Sequence, residues 1–171
     1  MSSREFNESH IPLAYLITFR CYGTWLHGDE RGSVDHENNI YGEPFLSTDS
    51  SREQEEFRRL KTPPVTLDAG QRAIIETTIR EVCTHRNWAL HAINVRTNHV
   101  HVVVRAAPKP EKILTDFKTW TTRRMRENKL WEHETTPWAA HGSRRYLWTE
   151  KNVEAAIDYV LNQQGDDLPE I

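Results

Sequence analysis

The run Asn98-His99-Val100-His101-Val102-Val103-Val104 constrains this chain more than any other segment. Valines at this density favour an extended backbone, because two heavy atoms on Cβ restrict χ1 and pack well on a pleated surface. Side chains on a strand point to alternate faces. His99, His101 and Val103 therefore share one face, and Val100, Val102 and Val104 share the other. The valine face is the expected core face. The two imidazoles then lie about 6–7 Å apart along the strand, a spacing from which both rings can converge on one cation. The same pattern also suits an ordinary strand that happens to carry two histidines.

The flanks make this strand half of a hairpin. Trp88 to Val95 reads as its partner, with a short turn at Arg96, Thr97 and Asn98. Further upstream, Ala14 to Tyr22 is rich in β-branched and aromatic residues and reads as a strand that Gly23 to Leu26 ends or bulges. Thr66 to Arg86 is helical in pattern: Asp68 can cap it, and Ile75, Ile79, Val82 and Cys83 fall on one face. Pro108 and Pro110 open a second helix, Glu111 to Glu127, with Ile113, Phe117, Trp120 and Arg124 on a stripe. Asn128 to Ser143 is irregular, and Arg144 to Trp148 is a short strand.

The last helix is the clearest. Thr149 suits its N-cap, and Trp148 with Val153 suits a hydrophobic staple. Val153, Ala156, Ile157, Val160 and Leu161 follow the core spacing of an amphipathic helix, and Gly165 suits its stop. The order β-α-β-β-α-β-α predicts an α+β fold, a ferredoxin-like antiparallel sheet with an extra C-terminal helix. Residues 1–171 read as a single domain with an inserted loop region at about 28–66. Within that region Ser50 to Lys61 can form a short surface helix.

Charge and cysteine content narrow the function. The net charge is −3, which argues against a protein that coats DNA nonspecifically. Arg105 to Lys151 nevertheless holds eleven Lys or Arg against six Asp or Glu, a balance suited to local phosphate contact. The tail after Gly165 is acidic. Cys21 and Cys83 form no CxxC pair and read as reduced cytosolic thiols, too few for a cysteine zinc site. The N-terminus lacks the apolar run of a secretory signal, no stretch is long and apolar enough to span a bilayer, and a cytoplasmic protein is expected.

Tyr159 and Gln163 are four apart on the last helix and stack on one face. They lie roughly 90–130° from the centre of the Val153/Ile157/Val160 stripe, so Tyr159 is free to face a cleft at the edge of the sheet. A cation can polarise a phosphodiester, whose own negative oxygens repel a nucleophile, and a tyrosine hydroxyl can then attack phosphorus. Two neutral imidazoles and an amide oxygen leave the charge of such an ion undiminished. This donor set suits Mg2+ or Mn2+ better than a structural zinc.

Asn98-His99-Val100-His101 resembles the His-hydrophobic-His motif of HUH endonucleases. Tyr159-Val160-Leu161-Asn162-Gln163 resembles the catalytic helix of single-tyrosine HUH transposases, which include the smallest insertion-sequence transposases and the REP-associated tyrosine transposases. The likeness extends to the first strand, to the helix after the histidine strand and to the stretch from Arg144 to Gln164. Carried over residue by residue, it implies that His99, His101 and Gln163 are metal ligands and that Tyr159 is the nucleophile. It further implies cleavage of single-stranded, hairpin-forming DNA through a 5′-phosphotyrosine, strand rejoining, and a homodimer. Thr97 departs from the proline that many REP-associated members carry. Tyr146 is a rival nucleophile, although no glutamine follows it at helical spacing.

Arg123, Arg124, Arg126, Lys129, Arg144 and Arg145 are candidate DNA contacts. Trp120, Trp131, Trp138 and Trp148 are candidates for stacking on bases, with at least two of them expected in the core. His91 can approach the histidine pair from a neighbouring strand, while His85, His133 and His141 have no ligand spacing. Two other functions fit less well. A non-catalytic or domesticated nucleic-acid-binding protein of the same fold has no need of all four site residues. A metal-dependent hydrolase would need a general base, and no HExxH or comparable carboxylate is present.

Overall fold

The computed structural model describes residues 11–23 and 63–165. The expected helix at Ser50 to Lys61, nearly all of the inserted region at about 28–66, and the acidic tail lie outside the described residues.

The elements are β1 (Ala14–Arg20), α1 (Ala69–Arg86), β2 (Ala89–Val95), β3 (His99–Arg105), α2 (Pro110–Glu127), β4 (Ser143–Leu147) and α3 (Glu150–Asn162). The strands form one antiparallel sheet in the order β2-β3-β1-β4. This is the expected ferredoxin-like arrangement, with α3 as the added helix. Local chemistry sets the ends. Asp68 Oδ1 accepts from the Gln71 amide at 2.8 Å while Gln71 Oε1 accepts from the Asp68 amide at 2.9 Å. This reciprocal cap starts α1 three residues later than the periodicity alone indicates. Asn87 closes the helix in the left-handed region, at φ 57°. Pro110 opens α2, where a missing N–H costs nothing. Thr149 Oγ1 accepts from the Asn152 amide at 3.1 Å and caps α3.

Both faces of the sheet are covered. On one face α1 and α2 pack Ile75, Ile79, Ile113 and Phe117 against Ile17, Phe19, Val100, Val102 and Val104. This is the expected valine core. The other face is half a core as well: Ala14, Leu16, Ala92, Val103 and Leu147 meet Val153, Ala156 and Val160 of α3. Leu161 does not join them and is 53% exposed. It follows Val160 by one residue, about 100° around the helix, and so leaves the face that packs on the sheet.

Strand register then decides what happens beside that second core. Arg145, Leu16, Val103 and Ala92 form one cross-strand row, and Ser143, Thr18, His101 and Asn94 form the next. Arg20 and His99 follow. Beneath α3 the sheet surface thus changes within one row from apolar to polar. The polar rows hold both histidines.

Candidate active site

His101 is 1% exposed, and its ring lies 4.6 Å edge-on from the ring of His99. The ring of Tyr159 meets His101 at 5.4 Å, also edge-on. Tyr159 arrives there because its neighbours Ala156 and Val160 are held in the second core. Asn94 Nδ2 also donates to the Val160 carbonyl at 2.9 Å and ties the last turn of α3 to β2. The helix position that looked poorly suited to the core is therefore the position that covers the histidines.

Polar side chains surround both rings. His99 Nδ1 lies 2.6 Å from Asn98 Oδ1, and His101 Nδ1 lies 2.7 Å from Thr18 Oγ1. Gln164 Oε1 is 3.4 Å from His99 Nε2, and Gln164 Nε2 donates to the Tyr159 carbonyl at 2.9 Å. Burial pushes the His101 imidazole well below the usual histidine value. His99, Arg96 and Arg145 push the same way, against a raising hydrogen bond with Gln164. A neutral imidazole keeps a lone pair for a cation, so this environment suits a metal ligand. Among the described residues no group of three or more His, Cys, Asp or Glu side chains could hold a metal ion. A cation at this site would rest on the two imidazoles and amide oxygen.

The structure brings His99, His101 and Tyr159 together, but not Gln163. α3 ends at Asn162, and Gln163 follows as its C-cap at φ −120°. Four-residue stacking presupposes a helix that continues through the second residue. Gln163 instead donates to Asp158 Oδ2 at 2.7 Å on the exposed side. There Asn162 and Gln163 hold the Asp158 carboxyl below its usual value. Gln164 is the glutamine that turns back under the helix end. The rival Tyr146 stands on the other side of the sheet, since it pairs with Tyr15 in the row that runs to Val104. It contacts Tyr15 and Trp148 at ring separations of 5.5 and 5.9 Å.

A family model described as "Transposase IS200 like" matches residues 64–163, more than half of the chain. The chain belongs to the IS200-like transposase family. No curated protein matches it. The match runs from α1 through α3 and omits β1, although β1 is a central strand and supplies Thr18. Membership makes this a DNA-processing, transposase-type chain. No helix among the described residues is long and apolar enough to cross a membrane.

The basic residues of this family member do not form one patch. Arg145 is 6% exposed and lies on the histidine face, one row from His101. Arg144 points to the opposite face and pairs with Glu111 at 3.3 Å. Arg123 and Arg126 line a groove of about 820 Å³ along α2 together with Lys118. Burial pushes the Lys118 ammonium down to about 8, helped by Arg20 and Arg144. Arg126 also donates to the carbonyls of His133, Glu134 and Thr135, so it fixes a loop. Arg124 bridges to Glu81 at 3.0 Å, and Lys129 is an exposed residue with a left-handed backbone just after α2. Trp131 and Trp138 are core residues, as expected for two of the four, and Trp148 is 42% exposed. His91 sits at a bulge in β2 and is exposed, and the β2 residue opposite His101 is Asn94.

Thr18, Arg20, Asn94 and Gln164 escaped the sequence reading. A signal existed for the first two. Along β1 the face Ala14, Leu16, Thr18, Arg20 turns from apolar to polar, as Val103, His101, His99 does along β3. Only the antiparallel register shows that the two polar ends coincide.

Proposed function

We propose that this transposase-family chain cuts and rejoins single-stranded DNA through a covalent bond between Tyr159 and a 5′-phosphate. The observation that carries this reading is the Tyr159 ring standing 5.4 Å from that of His101, whose own ring is 4.6 Å from that of His99. A tyrosine and two imidazoles thus converge on one small volume. No such group accompanies Tyr146.

In the cleavage step the Tyr159 oxygen bonds to phosphorus and the bond from phosphorus to the 3′-oxygen breaks. The phenolic proton is lost and the departing 3′-oxygen gains one, leaving a 5′-phosphotyrosine and a free 3′-hydroxyl. In the joining step a 3′-hydroxyl attacks the phosphotyrosine and releases Tyr159. His99, His101 and an amide oxygen at the end of α3 would hold Mg2+ or Mn2+, which would supply charge to polarise the phosphate. Arg145, one row from His101, adds a fixed positive charge beside the scissile group. The α2 groove with Lys118, Arg123 and Arg126 offers a separate contact for the rest of the strand. Hairpin-forming DNA as substrate and a homodimer as the working unit complete the proposal, both on the family resemblance.

The test is a denaturing gel of purified protein, Mn2+ and labelled hairpin DNA from the flanks of its own gene. Wild type and Tyr146→Phe should give a shifted protein–DNA band, while Tyr159→Phe and His101→Ala should give none. Loss of the band in Tyr146→Phe alone would move the nucleophile to β4. Tight binding with no adduct to any flank would favour the non-catalytic DNA-binding reading.

A further inference from the structure

At the His99 end of the sheet three segments meet. The Cys21 amide donates to the Asn98 carbonyl at 2.8 Å, and the Leu67 amide to the Thr97 carbonyl at 2.7 Å. Tyr22 is held through its main chain: its amide donates to the Pro137 carbonyl at 2.8 Å, and its carbonyl accepts from the Val65 amide at 2.9 Å. The residues after β1, the residues before α1 and the loop between α2 and β4 thus come together beside Asn98 and His99. Between them lies a pocket of about 630 Å³ whose walls include Tyr22, Pro64, Thr66, Trp131, His133 and Trp138.

This pocket is aromatic, and no Lys, Arg, Asp or Glu lines it among the described residues. Trp138 is 2% exposed and stands edge-on to Phe19 at 4.7 Å. Trp131 is buried too, with its Nε1 donating to the Thr135 carbonyl at 2.7 Å, and the His133 ring meets it at 4.7 Å. These two indoles make the inner wall, while exposed His133 and half-buried Tyr22 stand at the rim. Such a cavity suits a flat uncharged ligand and has no fixed charge for a phosphate. The α2 groove is the opposite case, since Lys118, Arg123 and Arg126 line it. Thr136 lines both, so the two cavities adjoin. A nucleotide strand carries these same two chemistries side by side, a flat base and an anionic phosphate. A paired base stays in its stack, so only an unpaired base can enter a concave pocket.

We propose that the pocket receives one unstacked base of the single strand beside the cut, with Tyr22, Trp131 and His133 as its contacts, and that the neighbouring phosphates run on into the α2 groove. The proposal rests on the DNA-processing reading above. It adds a place where the protein selects a base away from the reacting phosphate.

The experiment is a gel shift of the full chain in chelator. The probe is labelled hairpin DNA from the flanks of its own gene, with each unpaired nucleotide made abasic in turn. Adduct formation with Mn2+ is scored separately, so binding and chemistry are read apart. In wild type one unpaired position should lose roughly 5-fold or more in affinity when abasic. Tyr22→Ala and His133→Ala should weaken binding of the intact hairpin by a similar factor. Both should shrink the abasic penalty at that position to less than about twofold. Both variants keep the main-chain contacts of the residue they change. Arg123→Ala, in the groove, should weaken all the hairpins alike. Equal affinity for intact and every abasic hairpin, or a penalty that neither variant alters, overturns the proposal. An adduct formed by the same protein then leaves the strand-transfer reading standing. Variants that melt earlier yet bind DNA unchanged would assign the pocket to packing within the chain, and overturn the proposal as well. A sensitive position that responds to both variants, without any adduct, supports the pocket and counts against the transfer chemistry alone.

Discussion

Acid should destabilise this protein through His101, and the amount can be worked out. The ring is 1% exposed and its pKa is held well below the ordinary value of 6.5, chiefly by burial. In the unfolded chain the same imidazole titrates at its ordinary value. Above that value both states are neutral at this residue and the stability is whole. As the pH falls below it the unfolded chain takes up a proton that the native state refuses, and stability drains away until the depressed native value is reached. About one pH unit below the ordinary value, the loss is about 1.4 kcal/mol. For a chain of this size, each kcal/mol moves the melting temperature by roughly 2–4 °C. The assay is thermal denaturation in chelator at a series of pH values from about 7.5 to about 5.5, comparing wild type with His101→Gln. Exposed histidines act equally in both proteins and cancel. Wild type should lose roughly 3–6 °C more than the variant over that range. Parallel curves would refute the claim that His101 is buried in its neutral form.

Other sites make independent predictions. Asn94→Ala removes the donor to the Val160 carbonyl and should cost about 1 kcal/mol in a denaturant melt. It should slow adduct formation further than Ile79→Ala, a cavity of about 2–5 kcal/mol in the distant α1 core. Thr121→Val leaves the buried Trp138 Nε1, now 3.2 Å from Thr121 Oγ1, without that acceptor. Urea unfolding should register about 1–3 kcal/mol of lost stability. Burial pushes the Cys21 thiol up to about 12 and the Cys83 thiol up to about 11. Both should resist a thiol-reactive disulfide reagent at mildly alkaline pH and react at once in denaturant. Rapid native reaction would mean that the region around β1 or α1 opens.

Much of the site was legible in sequence because the relevant periodicities are local. Alternation along residues 98–104 put His99 and His101 on one face, and the helix stripe from Val153 to Val160 set Tyr159 off from the core. The structure keeps the first relation; Tyr159 instead packs against the edge of the second core, from where its ring meets that of His101. Gln163 was misplaced because the four-residue rule holds only inside a helix, and α3 ends one residue earlier. Spacing favoured Tyr159 over Tyr146, but it could not show which face of the sheet Tyr146 takes, since that depends on the register of β4 with β1. The basic residues scattered for the same reason: Arg144 and Arg145 are neighbours in sequence and point to opposite faces.

The sequence by itself determined the order of elements, the histidine strand, the amphipathic last helix and the likeness to a transposase family. These follow from backbone geometry and from spacing within single segments. Only the tertiary structure decided that α3 lies across the histidine face, and that its apolar contacts end one row before Thr18 and His101. It also decided that Gln164 reaches the imidazoles. Such relations join distant segments, as Thr18 and His101 do across 83 positions. They arise when the sheet closes, because strand order and register place side chains that no local pattern connects.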